Sequence, residues 1–148
     1  MNEKYMKIAQ KLALTSQGDI PVGAVVVKDG EILSIACNEK EKTNDVTAHA
    51  EILAIKKASH ILNNWRLDEC DLYVTLEPCP MCAWAILQAR IKTVYFGSYD
   101  NLYGAFGSKI NLAEISNSKI SAKGGILEEE CDKILNDFFK KVRDDNKE

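Results

Sequence analysis

Cys79 and Cys82 stand three residues apart, with Pro78 before them and Pro80 between them. At the start of a helix, residues i and i+3 share one face. The partial positive charge of a helix N-terminus there favours the thiolate form of both. Pro80 suits that first turn, where a missing N–H costs nothing. About thirty residues earlier lies His49-Ala50-Glu51. An imidazole and two thiolates are good zinc ligands, and a nearby carboxylate can carry protons. The competing reading of Cys79-x-x-Cys82 is a thiol-redox pair.

The number of ligands separates a structural metal site from a catalytic one. Structural zinc takes four protein ligands, whereas catalytic zinc keeps a position open for water. No fourth ligand has suitable spacing. His60 would lie roughly 16 Å along a continuous helix from His49. Cys131 falls on an apolar helical stripe, Cys37 adjoins a loop, and Cys70 precedes a strand. Three ligands and an open position make the site catalytic.

Residues two apart on a helix diverge by about 200°, so His49 and Glu51 cannot share a site from mid-helix. In the first turn, side chains lean back and can converge beyond the N-terminus. With Thr47 as the N-cap and a helix starting near Ala48, both fall in that turn. Together, His-x-Glu and Pro-Cys-x-x-Cys form the signature of zinc nucleobase deaminases. Zinc on His49, Cys79 and Cys82 would supply hydroxide at neutral pH, and Glu51 would move the protons.

The elements that must position these groups are legible in the rest of the chain. Tyr5, Ile8, Ala9, Leu12 and Ala13 form a helical stripe over 2–17, ended by Gly18-Asp19. Two β-branched runs around Asp29-Gly30, Val22 to Val27 and Ile32 to Ala36, predict a hairpin. Asn38 to Asp45 is polar and reads as a loop. A helix is expected from near Ala48 to about Ser59, a strand over 71–76, a helix over 81–89 and a strand over 93–96. A glycine-bearing loop follows through Gly97, Gly104 and Gly107. A short strand ending at Ile126 and a helix carrying Leu127, Cys131, Ile134, Leu135 and Phe138 complete the chain. Helices alternating with strands after a hairpin imply an α/β sandwich around a mixed sheet.

The chain has 148 residues, 46% of them hydrophobic and 28% charged, which suits one globular domain spanning 1–148. No apolar run reaches the roughly 18–20 residues of a membrane span. Met1 to Lys11 lacks the apolar block of a signal peptide. An odd count of 5 cysteines argues against a disulfide framework, and a cytoplasmic location is expected. The net charge of −3 is not that of a general nucleic-acid binder, so any RNA contact must rest on particular residues.

Nearly the whole chain, from about Tyr5 to Arg143, resembles the tRNA-specific adenosine deaminases. The matching segments are Pro21 to Val25, Asn38, Thr47 to Glu51, Tyr73 to Ala83, Arg90-Ile91, Gly104 to Ser108 and Phe138-Phe139. The resemblance implies conversion of the wobble adenosine of a transfer RNA anticodon to inosine. It also implies one zinc per subunit, a homodimer whose active sites use both subunits, and the cytidine deaminase-like fold. That fold is a three-layer α-β-α sandwich around a five-stranded mixed sheet. By the same resemblance, Asn38 and the Ala50 N–H would bind the purine, and Val22 and Leu76 would line the base pocket. Asp100, Phe139, Lys140 and Arg143 would meet the anticodon stem-loop. On residue type alone, Asn38 is equally a turn residue, Val22 and Leu76 are core, and Lys140 to Arg143 is a solvated helix end. Phe138 lies on the apolar stripe of its helix, while Phe139 lies one step off it.

The sequence departs from this family at Trp84, where glycine is common, and at Phe106, where a smaller residue is usual. The 98–103 loop also lacks basic residues. These departures bear on how the anticodon flanks are held and leave the zinc chemistry untouched. Two rival functions remain: a free guanine or cytosine deaminase of the same superfamily, and a non-catalytic zinc or thiol-redox module. The terminal charges Asp144 to Glu148 are assigned no role.

Overall fold

Asp29 and Gly30 both have positive φ, 51° and 76°, the backbone of a type I′ turn. They join β1 (Gly23–Lys28) to β2 (Glu31–Cys37), which pair antiparallel with a bulge between Val26 and Val27. The hairpin is therefore formed as its Asp-Gly signal requires. The structure, a computed structural model, describes residues 1–147; Glu148, the last of the terminal charges, lies outside the described residues.

The other edge of β1 pairs antiparallel with β3 (Cys70–Leu76). β4 (Thr93–Ser98) runs parallel to β3, and β5 (Ser121–Lys123) parallel to β4. The order β2-β1-β3-β4-β5 is a five-stranded mixed sheet. Its central strands are buried on both faces, so they read as continuous apolar runs, but their side chains still alternate. Ala24, Val26, Leu72, Val74, Val94 and Phe96 pack into one core with α3 (Ala50–Leu62) and α4 (Pro80–Gln88). Val25, Val27, Tyr73 and Tyr95 pack into another, with Tyr5, Met6 and Ala9 of α1 (Glu3–Ala13) and Cys131 of α6 (Glu128–Asp145). Each fully buried aliphatic or aromatic side chain contributes roughly 1.5–3 kcal/mol, so one set of strands holds a helical layer on each face. The expected three-layer α-β-α sandwich is the observed fold.

Several element ends differ from expectation. α1 stops at Ala13, four residues short of the expected 2–17 span, and the Thr15 hydroxyl donates to the Leu12 carbonyl at 2.6 Å. The 38–45 loop contains a single helical turn, α2 (Lys40–Thr43). Asn63, in the left-handed region at φ 50°, ends α3 three residues beyond Ser59. The last strand lies over 121–123 instead of reaching Ile126, and an unforeseen turn, α5 (Leu112–Ile115), precedes it. Cys131 is the one fully buried residue of α6. Phe138, expected in the core, is only half-buried.

Candidate active site

β1 begins, and β2 and β3 end, at the same edge of the sheet, because Gly23 faces Cys37 and Ala24 faces Val74. Val22, Asn38 and Leu76 therefore gather at one edge. Open sheets with parallel strands commonly place sites beyond strand carboxyl ends. α3 and α4 point their N-termini at this edge.

His49 is the N-cap of α3, with extended backbone at φ −77° and ψ 149°. Cys79 is the N-cap of α4, at φ −73° and ψ 172°. The expected cap, Thr47, is not one: its N–H and hydroxyl both bond the Asp45 carboxylate, at 2.8 and 2.7 Å. This correction removes the angular difficulty, since His49 is not yet helical while Glu51 is. Pro80 occupies the first helical position of α4 as expected, one residue earlier than the predicted start. His49 Nδ1 lies 3.4 Å from Cys82 Sγ and 3.8 Å from Cys79 Sγ. All three donor atoms lie within 4.8 Å of one another, and no other such group occurs among the described residues.

The donor set fits zinc. With Zn–S near 2.3 Å and Zn–N near 2.05 Å, tetrahedral coordination puts a sulfur and a nitrogen about 3.6 Å apart. The two observed separations bracket that value. The Cys79 thiol is pulled down to about 4, first by the hydrogen bond from Cys82 and then by that from His49. Cys82 is pushed up because it supplies the proton to Cys79 and is buried. Bonding to Cys79 also raises His49. The three donors thus hold protons among themselves that a thiolate-seeking dication would displace.

Glu51 is 4% exposed, and burial raises its carboxyl to about 7. A carboxyl poised there can both take and give a proton near neutral pH. It opens on a cleft of about 320 Å³ shared with Val22, Asn38, His49, Leu76, Cys79 and Asp100. Cys82 sits buried behind the cleft. Asn38 Oδ1 accepts the Ala50 N–H at 2.8 Å, and its Nδ2 donates to the Ile20 carbonyl at 2.8 Å. The two expected purine contacts are thus joined to each other. The amide retains one N–H and one acceptor site for a ligand.

A second cavity of about 340 Å³ shares Ile20, Leu76, Asp100 and Tyr103 with the first, and Phe139 of α6 lines its far side. Asp100 Oδ1 accepts the N–H groups of Leu102 and Tyr103, at 3.0 and 3.1 Å, so its side chain shapes this loop. Arg143 and Lys140 are exposed and line neither cavity. Trp84 is 48% exposed on the outer side of α4 and does not crowd the metal donors, whereas Phe106 is buried.

Two groups escaped the sequence reading. Asp19, 5% exposed, lines the cleft and accepts the Glu41 N–H at 3.1 Å. Glu77, 2% exposed, accepts four hydrogen bonds from the 100–108 loop. Burying a carboxylate costs several kcal/mol, and charge-assisted hydrogen bonds of roughly 1.5–3 kcal/mol each offset that. The available signal was the position of Glu77 between an apolar strand and a proline, where a charge has little access to water.

Residues 1–98 match the family described as cytidine and deoxycytidylate deaminase zinc-binding region. The chain is 44% identical over 146 residues to a tRNA-specific adenosine deaminase of Bacillus subtilis (strain 168), covering 96% of this chain and 91% of that one. A solved structure from work on A-to-I editing by tRNA:A34 deaminases at the wobble position of transfer RNA is similar at 38% identity. Its TM-score is 0.84, with 90% of this chain and 100% of that chain covered. A guanine deaminase from Bacillus subtilis shares 35% identity but only a TM-score of 0.64, covering 79% of this chain and 91% of that one.

Proposed function

The chain belongs to the zinc-binding cytidine and deoxycytidylate deaminase family and, within it, to the tRNA-specific adenosine deaminases; from that premise we propose how it converts the wobble adenosine of a transfer RNA anticodon to inosine. The observation that carries the chemistry is a buried carboxyl, Glu51, beside a three-donor metal centre at the base of a cleft. His49, Cys79 and Cys82 would hold the zinc, which when bound would lower the pKa of a water far enough to make hydroxide available near neutral pH. Glu51 accepts a proton from the attacking water at its carboxylate. It passes that proton to the purine ring nitrogen, then takes the remaining proton from the hydroxyl now on C6 and delivers it to the departing amine. The water oxygen bonds to C6, the C6–N bond breaks, and ammonia leaves.

Asn38, with the Ala50 N–H behind it, orients the purine edge through its remaining N–H and lone pair. Val22 and Leu76 flank the base, and the apolar walls exclude water from it. Phe139 offers a stacking face to a base flanking the target, while Asp100 holds the loop between the two cavities. Arg143, one helical turn beyond Phe139, meets a phosphate of the stem-loop. The chain acts as one domain over 1–148 and works in the cytoplasm, where transfer RNA is processed. No described helix is long and apolar enough to cross a membrane. Two copies pair; Met81 and Trp84, exposed on the outer side of α4, supply apolar surface that a second copy would cover.

The deciding experiment offers the zinc-loaded protein an anticodon stem-loop bearing adenosine, and separately free guanine, cytosine and adenine. Inosine in the stem-loop, with the free bases unchanged, is expected. Deamination of a free base but not of the stem-loop would overturn the substrate. A reversible Cys79–Cys82 disulfide without turnover would favour the redox module. Light scattering at twice the 16.5 kDa chain mass checks the pairing.

A further inference from the structure

Glu77 follows β3 directly and stands two residues before Cys79. Its Oε1 accepts the Asp100 N–H at 3.1 Å and the Ser108 hydroxyl; its Oε2 accepts the N–H groups of Phe106 at 3.0 Å and Ser108 at 3.1 Å. An ionised carboxylate offers about four lone-pair sites, and all are engaged. Although it borders the cleft, Glu77 has no lone pair left with which to take a proton from substrate or water. Main-chain bonds run beside it, from the Glu77 N–H to the Ser98 carbonyl at 2.8 Å and from the Ala105 N–H to the Pro78 carbonyl at 2.9 Å. Among the described residues no lysine or arginine forms an ion pair with it. A Cβ on Gly104 would collide with the Asp100 carbonyl and the Glu77 carboxylate, so the loop closes on Glu77 only with glycine there.

We propose that Glu77 is a positioning residue that ties the 98–108 loop, and with it the Asp100–Tyr103 wall of the cleft, to the turn bearing Cys79. The carboxylate thereby sets, together with the two main-chain bonds beside it, the distance between the recognition wall and the metal centre. The proposal deepens the reading of this cleft as an RNA-binding active site and rests on it. His49, Glu51, Cys79 and Cys82 do not bond to Glu77, so its loss moves the wall and leaves the chemistry in place.

Glu77→Gln tests this, because its NH2 group would face loop donors where an oxygen accepted them. In the zinc-loaded protein, KM for the stem-loop should rise about tenfold while kcat stays within about threefold. Zinc should remain at one per chain. Amide hydrogen exchange should accelerate at Asp100, Phe106 and Ser108 and stay unchanged in the β1–β2 hairpin. A fall in kcat at unchanged KM, or loss of zinc, would overturn the proposal by placing Glu77 in the metal centre. Unchanged exchange at the three amides would overturn it whatever the substrate is. If wild type leaves the stem-loop untouched while exchange responds as stated, the substrate reading fails and the clamp stands. Should Glu77→Gln not fold, Ser108→Ala removes only the hydroxyl donor and should give the same pattern at about threefold in KM; no change in KM and exchange would overturn the proposal.

Discussion

The floor and the rim of the cleft are built by different means. On the floor, His49, Glu51, Cys79 and Cys82 sit at two helix N-termini, with donor atoms within 4.8 Å and Glu51 buried among them. Each position there follows from backbone geometry that a buried sheet edge enforces. On the rim, Tyr103 and Phe139 are 65% and 41% exposed, and Arg143 projects from a helix with one fully buried residue. The floor groups contact one another directly, His49 Nδ1 lying 3.4 Å from Cys82 Sγ and 3.8 Å from Cys79 Sγ. The rim joins a loop tied at its base to Glu77 with the half-packed α6, and its outward side chains stand open to solvent. The metal donors and Glu51 lie where two helix ends meet a buried sheet edge, whereas the proposed recognition groups lie on exposed side chains.

If this division is right, floor and rim variants fail differently. Cys82→Ala should lose zinc and all detectable turnover, because two ligands do not hold catalytic zinc; metal analysis and the stem-loop assay check both. Chelation of the wild type should have the same effect on activity and lower the thermal midpoint, since metal that binds only the folded chain stabilises it. Glu51→Gln should keep zinc and lower kcat by about 10³-fold, in the middle of the range for general acid–base groups. Wild-type-like turnover there would remove Glu51 from the mechanism and dissolve the contrast.

Rim variants come next in size. Phe139→Ala should raise KM for the stem-loop by roughly tenfold at constant kcat, the loss of one stacking platform. Arg143→Ala should be milder, weakening binding a few-fold and reducing its salt slope by about 1. Titrations at two salt concentrations measure it. A fall in kcat for either rim variant would mean that the rim shapes the chemistry as well.

How far the molecule could be read in advance follows the same line. The hairpin, the mixed sheet and the three ligands carry local signals: Asp29-Gly30, alternating or continuous apolar runs, and donor spacing. The need for His49 and Glu51 to sit at a helix start was also legible, but the cap was assigned two residues too early. Thr47 is a preferred cap residue; here Asp45 engages its hydroxyl, and helix geometry begins only after His49 has turned its ring to the thiols. Glu77 was missed because a glutamate is ordinarily solvated, and its place between an apolar strand and a proline hints at burial without naming partners. Its partners are three main-chain N–H groups and the Ser108 hydroxyl, up to 31 residues away, which no local pattern reveals. The rim was legible only through resemblance. Phe139 could be separated from Phe138 by helical register, but nothing in the residues says what an exposed phenylalanine faces.

The spacing of the donors has a consequence for how the chain acquires its metal. His49 and Cys82 are 33 residues apart and are brought together across β3, which lies in the sheet between β1 and β4. A chain that has closed the first hairpin, but not this crossing, carries its imidazole and its thiols on segments with no fixed relation. Such non-local closures form late in folding compared with a local turn. Zinc held by all three donors therefore reports that α3 and α4 have been brought together across β3.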